Sequence, residues 1–212
     1  MGLPVVVLSL VLACMSAKGA ARTDKVLTQP SAITRLLIET TLGDIEVEID
    51  PERAPVTSAN FLKYVEGGFY NGGSFHRAVR MDNQPDDKIR IEVVQASASA
   101  DQLKRKPPFP PIVLERTRDT GLRHVDGTIS MARSGPDTAT HSFFICVGDQ
   151  PVLDYGGMRN PDGQGFAAFG RVVRGMEVVR KIHQQETEKQ TLTPAIKIIR
   201  ASVIRTSVKE SL

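Results

Sequence analysis

Of the 212 residues only two are cysteines, Cys14 and Cys146. Once the N-terminal segment is removed, Cys146 has no partner within the chain, so no disulfide framework holds the protein together. An excess of one charge sign is missing too: 27 Lys and Arg against 24 Asp and Glu leave a net charge of +3, with the signs interspersed. A nucleic-acid-binding surface needs a concentrated basic patch, so that class is set aside. The four histidines, His76, His124, His141 and His183, show no metal-ligand spacing and no acid or cysteine beside them in the sequence. No metal or other cofactor is therefore expected. Ser130 and Ser142 lie in no nucleophile elbow, which argues against a hydrolase. Repeats of solenoid length are absent, and no second domain boundary stands out.

What the chain does contain suits a soluble globular domain: 41% hydrophobic and 24% charged residues. A chain of this length buries a sizeable core without staples. Its first 21 residues stand apart. Leu3 to Met15 form an apolar run too short to span a bilayer, followed by small residues from Ser16 to Ala21. This reads as an export signal over 1–21, although Met1-Gly2 brings no Lys or Arg side chain. The expected destination is outside the cytosol, periplasmic or secreted. Val11-Leu12-Ala13-Cys14 also resembles a bacterial lipoprotein cleavage site, so a membrane tether through a lipid on Cys14 is the alternative. Residues 22–34 read as a linker, 35–205 as one folded domain and 206–212 as a tail.

Within the domain, Ile45, Val47 and Ile49 alternate with Asp44, Glu46 and Glu48, the period of a half-buried strand. With Leu36 to Thr41 before it and Gly43 at the turn, the pair predicts a β-hairpin. Pro55 opens a helix, where its missing N–H costs nothing, and Gly67-Gly68 ends it. A second helix is expected from Met176 to Gln184. Further strands are expected over Thr128–Ala132, Ser142–Val147, Phe166–Val173 and Ala195–Ile204. Arg80 to Lys88 and the glycine-rich Asp154 to Gly165 read as surface loops, and Lys104 to Pro111 as a stiff connector. Cys146, inside an apolar run, reads as a small buried hydrophobe.

Several short motifs recur in one order: Ala54-Pro55-Val56-Thr57, Phe75-His76-Arg77, Gly127 to Arg133, Phe143-Phe144-Ile145, Leu153-Asp154 and Phe169-Gly170-Arg171-Val172. In order and spacing they resemble the cyclophilin family of peptidyl-prolyl isomerases, over about 35–205. The resemblance implies a mainly β fold, a closed eight-stranded antiparallel β-barrel capped by two α-helices. It also implies a groove on the outer wall for an extended peptide, with packed side chains inside the barrel.

The implied chemistry needs no nucleophile or cofactor. Rotation about a peptide bond meets a barrier of ~18–20 kcal/mol because the C–N bond has partial double character. The catalyst holds the twisted amide better than either planar form. A guanidinium donating to the prolyl nitrogen does this electrostatically, and by the resemblance Arg77 is that group. Gln95 matches the glutamine that hydrogen-bonds the substrate backbone, although the Arg80 to Lys88 loop lengthens the gap from Arg77. Phe144 matches the aromatic floor of the proline pocket and Leu153 its apolar wall. Ala132, Arg133 and Ser134 match the segment along the peptide backbone.

Departures from the family pattern are concentrated in this pocket. Glu92-Val93 replace an apolar pair, and Ser142 replaces a glutamine. Val152 stands for a tryptophan and Phe166 for a histidine. Weak binding of cyclosporin is expected, because that tryptophan is a family contact. The expected partners are proline-containing peptides and unfolded proteins, bound by a monomer that helps folding. A second reading keeps the groove as a proline-peptide-binding module without turnover.

Overall fold

The computed structural model describes residues 2, 33–106 and 108–204. The export signal expected over 1–21 (Gly2 apart), Cys14, most of the 22–34 linker and the 206–212 tail lie outside the described residues.

The expected hairpin starts the domain. Strands β1 (Thr34–Thr40) and β2 (Gly43–Ile49) pair antiparallel, with Leu36 opposite Val47 and Ile38 opposite Ile45, all four buried. The Thr40 hydroxyl closes the turn, donating to Gly43 O at 2.6 Å and accepting from Leu42 N at 3.1 Å. Gly43 has φ +131°, and a Cβ there would lie 2.8 Å from Val178, so glycine is required for both reasons.

The remaining strands are β3 (Ser74–Val79), β4 (Val93–Ser97), β5 (Thr128–Met131), β6 (Phe143–Cys146), β7 (Ala167–Arg174), the two-residue β8 (Thr187–Glu188) and β9 (Thr191–Val203). They run in the order β1-β2-β7-β5-β6-β4-β3-β9, and β9 pairs back onto β1. The result is a closed antiparallel barrel of eight strands, with β8 an appendage of β9. Closure leaves no open sheet edge among these eight.

Helix α1 (Pro55–Glu66) begins on proline as expected, and its Phe61 ring sits 5.1–5.3 Å from the rings of Tyr70, Phe143 and Phe169. Two short helices, α2 (Ala100–Arg105) and α3 (Thr117–Thr120), lie between β4 and β5 and exceed the two-helix expectation. Neither carries an apolar stripe that a periodicity reading could find; α2 buries no residue at all. The connector expected from Lys104 therefore starts inside α2, and its Phe109 is wedged against Tyr64 and Phe69, with ring centroids 4.9 and 5.5 Å away. Helix α4 (Met176–His183) buries Val178, Val179 and Ile182. The last strand begins earlier than expected, because Pro194 inside it conceals the run.

Alternation along the strands sorts two apolar groups. Phe75, Val94, Ala96, Phe143 and Ile145 pack inside the barrel with Leu36, Ile129 and Phe169. Their neighbours Val93, Phe144 and Cys146 point to the other face and form a second cluster with Val79, Ile91, Leu153 and Phe166. An apolar cluster on a barrel's outer wall must be covered to stay out of water. The connections around 80–91 and 151–166 supply that cover, and the candidate site lies between them.

Candidate active site

Strand register assembles the site. Arg77 pairs with Gln95, Gln95 with Phe144, and Phe144 with Ser130, one residue from each of β3, β4, β6 and β5. Paired residues share a face, so the four stand in one row across the outer wall. A register shift between Phe75 and Arg77 makes this possible. Two residues of equal parity would otherwise point the same way, yet Phe75 is in the core and Arg77 faces the groove.

Three of the five N–H groups of the Arg77 guanidinium are committed. Nη1 donates to Gln95 Oε1 at 2.9 Å, and Nε donates to Gln190 Oε1 at 2.9 Å, an oxygen that Nη2 also reaches. Gln190 is fixed in turn: its amide nitrogen donates to Asn83 O at 3.2 Å, and its own carbonyl accepts from Ala78 N at 3.0 Å. The guanidinium is aimed by two neutral amides, which orient it without cancelling its charge. Burial, and after it the nearby charge of Arg159, pull the Arg77 pKa down, with Asp87 opposing. The group nonetheless stays cationic, because guanidinium starts so high.

Beside Arg77 lies a hollow of about 210 Å³. Seven of the sequence-predicted residues line it: Arg77, Gln95, Ala132, Arg133, Phe144, Leu153 and Phe166. Three do not. Ser134 lies in an exposed turn, its N–H donating to Thr138 Oγ1 at 3.1 Å. Ser142 is half-buried and its carbonyl accepts from Ala132 N at 2.9 Å. Val152 packs behind Leu153 against the second cluster. Val93, named in the sequence only as a departure from the family pattern, also lines the hollow, as do Ile91, Arg159 and Asn160, which sequence reasoning missed.

Phe144 forms the floor. Phe166 meets it edge-on at 5.4 Å, and His124 stacks on it at 5.9 Å with 17° between planes. His124 has an acidic partner after all, a correction to the sequence reading. Its Nδ1 lies 2.8 Å from Asp154 Oδ1 and its Nε2 2.9 Å from Ser130 Oγ. These are the members of a hydrolytic triad, but Ser130 is fully buried beneath the floor and reaches no substrate. The network instead braces Phe144 from below. Burial pushes the Asp154 pKa up, yet the hydrogen bonds from His124 and Arg123 outweigh it and hold the carboxyl below its usual range.

The 154–165 loop closes the far side. Arg133 Nη1 and Nη2 meet Asp162 at 2.7 and 2.9 Å, Nε donates to Gly165 O at 2.8 Å, and the guanidinium lies 5.0 Å over the Phe166 ring. Asn160, with its amide turned, accepts from the same guanidinium. The hydrogen bonds from Arg133 hold Asp162 at about 2. Cys146 is buried in the second cluster, and burial pushes its thiol up, as suits a packing residue.

A larger crevice of about 350 Å³, bordered by Asp50, Arg53, Arg123 and Arg171, has no aromatic side chain in its lining, so the smaller hollow is the better candidate. Among the described residues no group of three or more His, Cys, Asp or Glu stands together to hold a metal.

Residues 35–203 match the family model described as cyclophilin type peptidyl-prolyl cis-trans isomerase. Peptidyl-prolyl cis-trans isomerase A of Dickeya dadantii is 44% identical over 156 residues, 73% of this chain and 74% of that protein. Peptidyl-prolyl cis-trans isomerase B of Escherichia coli is 37% identical over 141 residues, 66% of this chain and 78% of its own. The crystal structure of a cyclophilin type isomerase from Cryptosporidium parvum superposes with a TM-score of 0.66, covering 82% of this chain and 99% of that one. At 18% identity that likeness concerns the fold alone.

Proposed function

This chain belongs to the cyclophilin-type peptidyl-prolyl cis-trans isomerase family, and we propose that its outer-wall groove turns the Xaa-Pro bonds of folding polypeptides by means of Arg77. One observation carries the reading: a guanidinium aimed by Gln95 and Gln190 stands at the rim of an apolar hollow floored by Phe144. A prolyl ring seated on Phe144 brings its nitrogen to Arg77. As the amide twists, resonance is lost and the nitrogen lone pair localises, becoming a better acceptor. Arg77 has two N–H groups beyond the three committed ones, so it can donate without giving up its own supports. A donor already in place gains strength only where the lone pair appears, which lowers the barrier rather than merely tightening binding.

The test is isomerisation of a short Xaa-Pro peptide by residues 23–212, beside an Arg77→Ala variant. Removing a single preorganised donor costs about 100-fold in kcat in comparable sites. A variant that keeps its fold and loses rate on this scale supports the role of Arg77. A wild type that binds proline peptides without accelerating any of them leaves a binding module instead.

The partners we propose are proline-containing peptides and unfolded proteins, met by a monomer, since the eight barrel strands pair with one another all round. Export is proposed on the Leu3 to Met15 run and the small residues after it. Cell fractionation, with mass spectrometry of Cys14, separates a free periplasmic or secreted protein from a lipid-anchored one.

A further inference from the structure

The loop that covers the hollow brings a charge of its own. Arg159 is only 13% exposed, donates from Nη1 to Ile89 O at 2.6 Å, and approaches Asp87 Oδ2 from Nη2 at 3.1 Å. One surface connection is thereby fastened to another directly over the groove. Neither partner belongs to the barrel core, so this contact is not needed to close the fold.

The charges at the hollow are unbalanced. Arg77, Arg133 and Arg159 border it and no Asp or Glu does, while the carboxylates of Asp82, Asp86 and Asp87 border the separate crevice on the other side of Arg77. Arg133 is neutralised by its two bonds to Asp162. Arg77 has only amide partners on its side chain. Arg159 has one carboxylate, and that carboxylate, Asp87, is 40% exposed, at the outer edge of the contact. An Asp87 held at one point on the solvent side can be exchanged for another carboxylate at little cost, since the Arg159 charge is paired before and after. The neighbouring Arg77 supplies a second cation at the same hollow.

We propose that Arg159 is a specificity-determining residue that favours peptides carrying an aspartate or glutamate beside the proline, the substrate carboxylate replacing Asp87 on the guanidinium. The position follows from size. The hollow holds about 210 Å³, so a group on its wall lies within a residue or so of a proline seated inside, given ~3.3–3.6 Å of chain per residue. The inference rests on the isomerase reading of the same groove.

The test compares peptides identical except for Glu, Gln or Lys on either side of the proline, read by kcat/KM and by direct binding titration. Wild type is expected to favour Glu over Lys by about twofold, a fraction of an exposed ion pair because one pair is traded for another, and to lose that preference in high salt. Arg159→Gln brings the ratio to about one, whereas Asp87→Asn frees the guanidinium and widens it. A contact that serves structure alone predicts the opposite pattern, with both variants breaking it and shifting all peptides alike; that result overturns the proposal, as does equal binding of Glu and Lys peptides by wild type. Should Arg159→Gln fail to fold, Asp87→Asn decides by itself, since an unchanged ratio refutes the exchange. Absence of turnover on every peptide refutes the isomerase reading instead, and the binding titrations still decide the charge preference.

Discussion

Gln190, 113 positions after Arg77, takes two of that guanidinium's N–H groups on a single amide oxygen. Gln95 holds the third from the opposite side. The pair converts a long, flexible side chain into a fixed donor, which is what a transition state with a localised lone pair rewards.

Gln190→Leu therefore lowers kcat about tenfold with little change in KM, because the arginine keeps its charge and loses its aim. The melting temperature stays close to wild type. Gln190→Glu, which restores an acceptor, recovers part of the rate. A variant whose KM rises while kcat holds shows that Gln190 contributes to binding instead.

The network under the floor predicts an order of stabilities. His124→Ala leaves Asp154 and Ser130 without their shared buried partner and removes a ring stacked on Phe144. Unsatisfied buried groups of this kind cost about 1–3 kcal/mol each. Ser130→Ala removes one neutral bond and leaves the His124–Asp154 pair intact, so about 1 kcal/mol is expected. Urea unfolding ranks the two; a Ser130→Ala cost equal to that of His124→Ala contradicts a bracing role.

Acid weakens the protein in two stages. Burial holds the pKa values of His76 and His141 below the ordinary 6.5, so the unfolded chain takes up those protons first and stability starts to fall below about pH 6.5. A second loss follows for Asp162, whose ordinary value of 3.8 is lowered to about 2 by Arg133. A depressed carboxyl contributes stability above its unfolded value and loses it as pH falls through the folded one, here between about 4 and 2. Unfolding midpoints at neutral, mildly acidic and strongly acidic pH measure both stages, and Asp162→Asn diminishes only the second.

Cyclosporin is expected to bind poorly. Val152 stands at the position where the resemblance to the family expects a tryptophan, and it packs against the cluster of Phe144, Leu153 and Phe166 with a much smaller, purely aliphatic side chain. Calorimetric titration measures this directly; nanomolar affinity overturns the expectation.

Much of the scaffold was legible from local pattern. The alternation of Ile45, Val47 and Ile49 marked β2, and Pro55 marked the start of α1. β3 escaped because the shift between Phe75 and Arg77 breaks the period on which strand reading depends, and β4 because its five residues open on two adjacent buried valines, Val93 and Val94, which do not alternate. The ordered motifs pointed to Arg77, Gln95 and Phe144, and register then set those three side by side. Ser134, matched by the same motifs, and Ser142 and Val152, read as replacements within them, are not among the residues that line the hollow.

By itself, then, the sequence determined the first hairpin and the start of α1, because side-chain alternation and residue chemistry are local properties, and its ordered motifs, through their resemblance to the cyclophilin family, named the cation and the aromatic of the site. Only the tertiary structure decided what aims and charges that site. Gln190 reaches Arg77 across 113 positions, Asp154 reaches His124 across 30, and Arg159 finds Asp87 between two connections with no period of their own. Hydrogen bonds and ion pairs act over a few ångströms, and which distant groups come within that range is settled by barrel closure and loop path, neither of which a run of residues spells out.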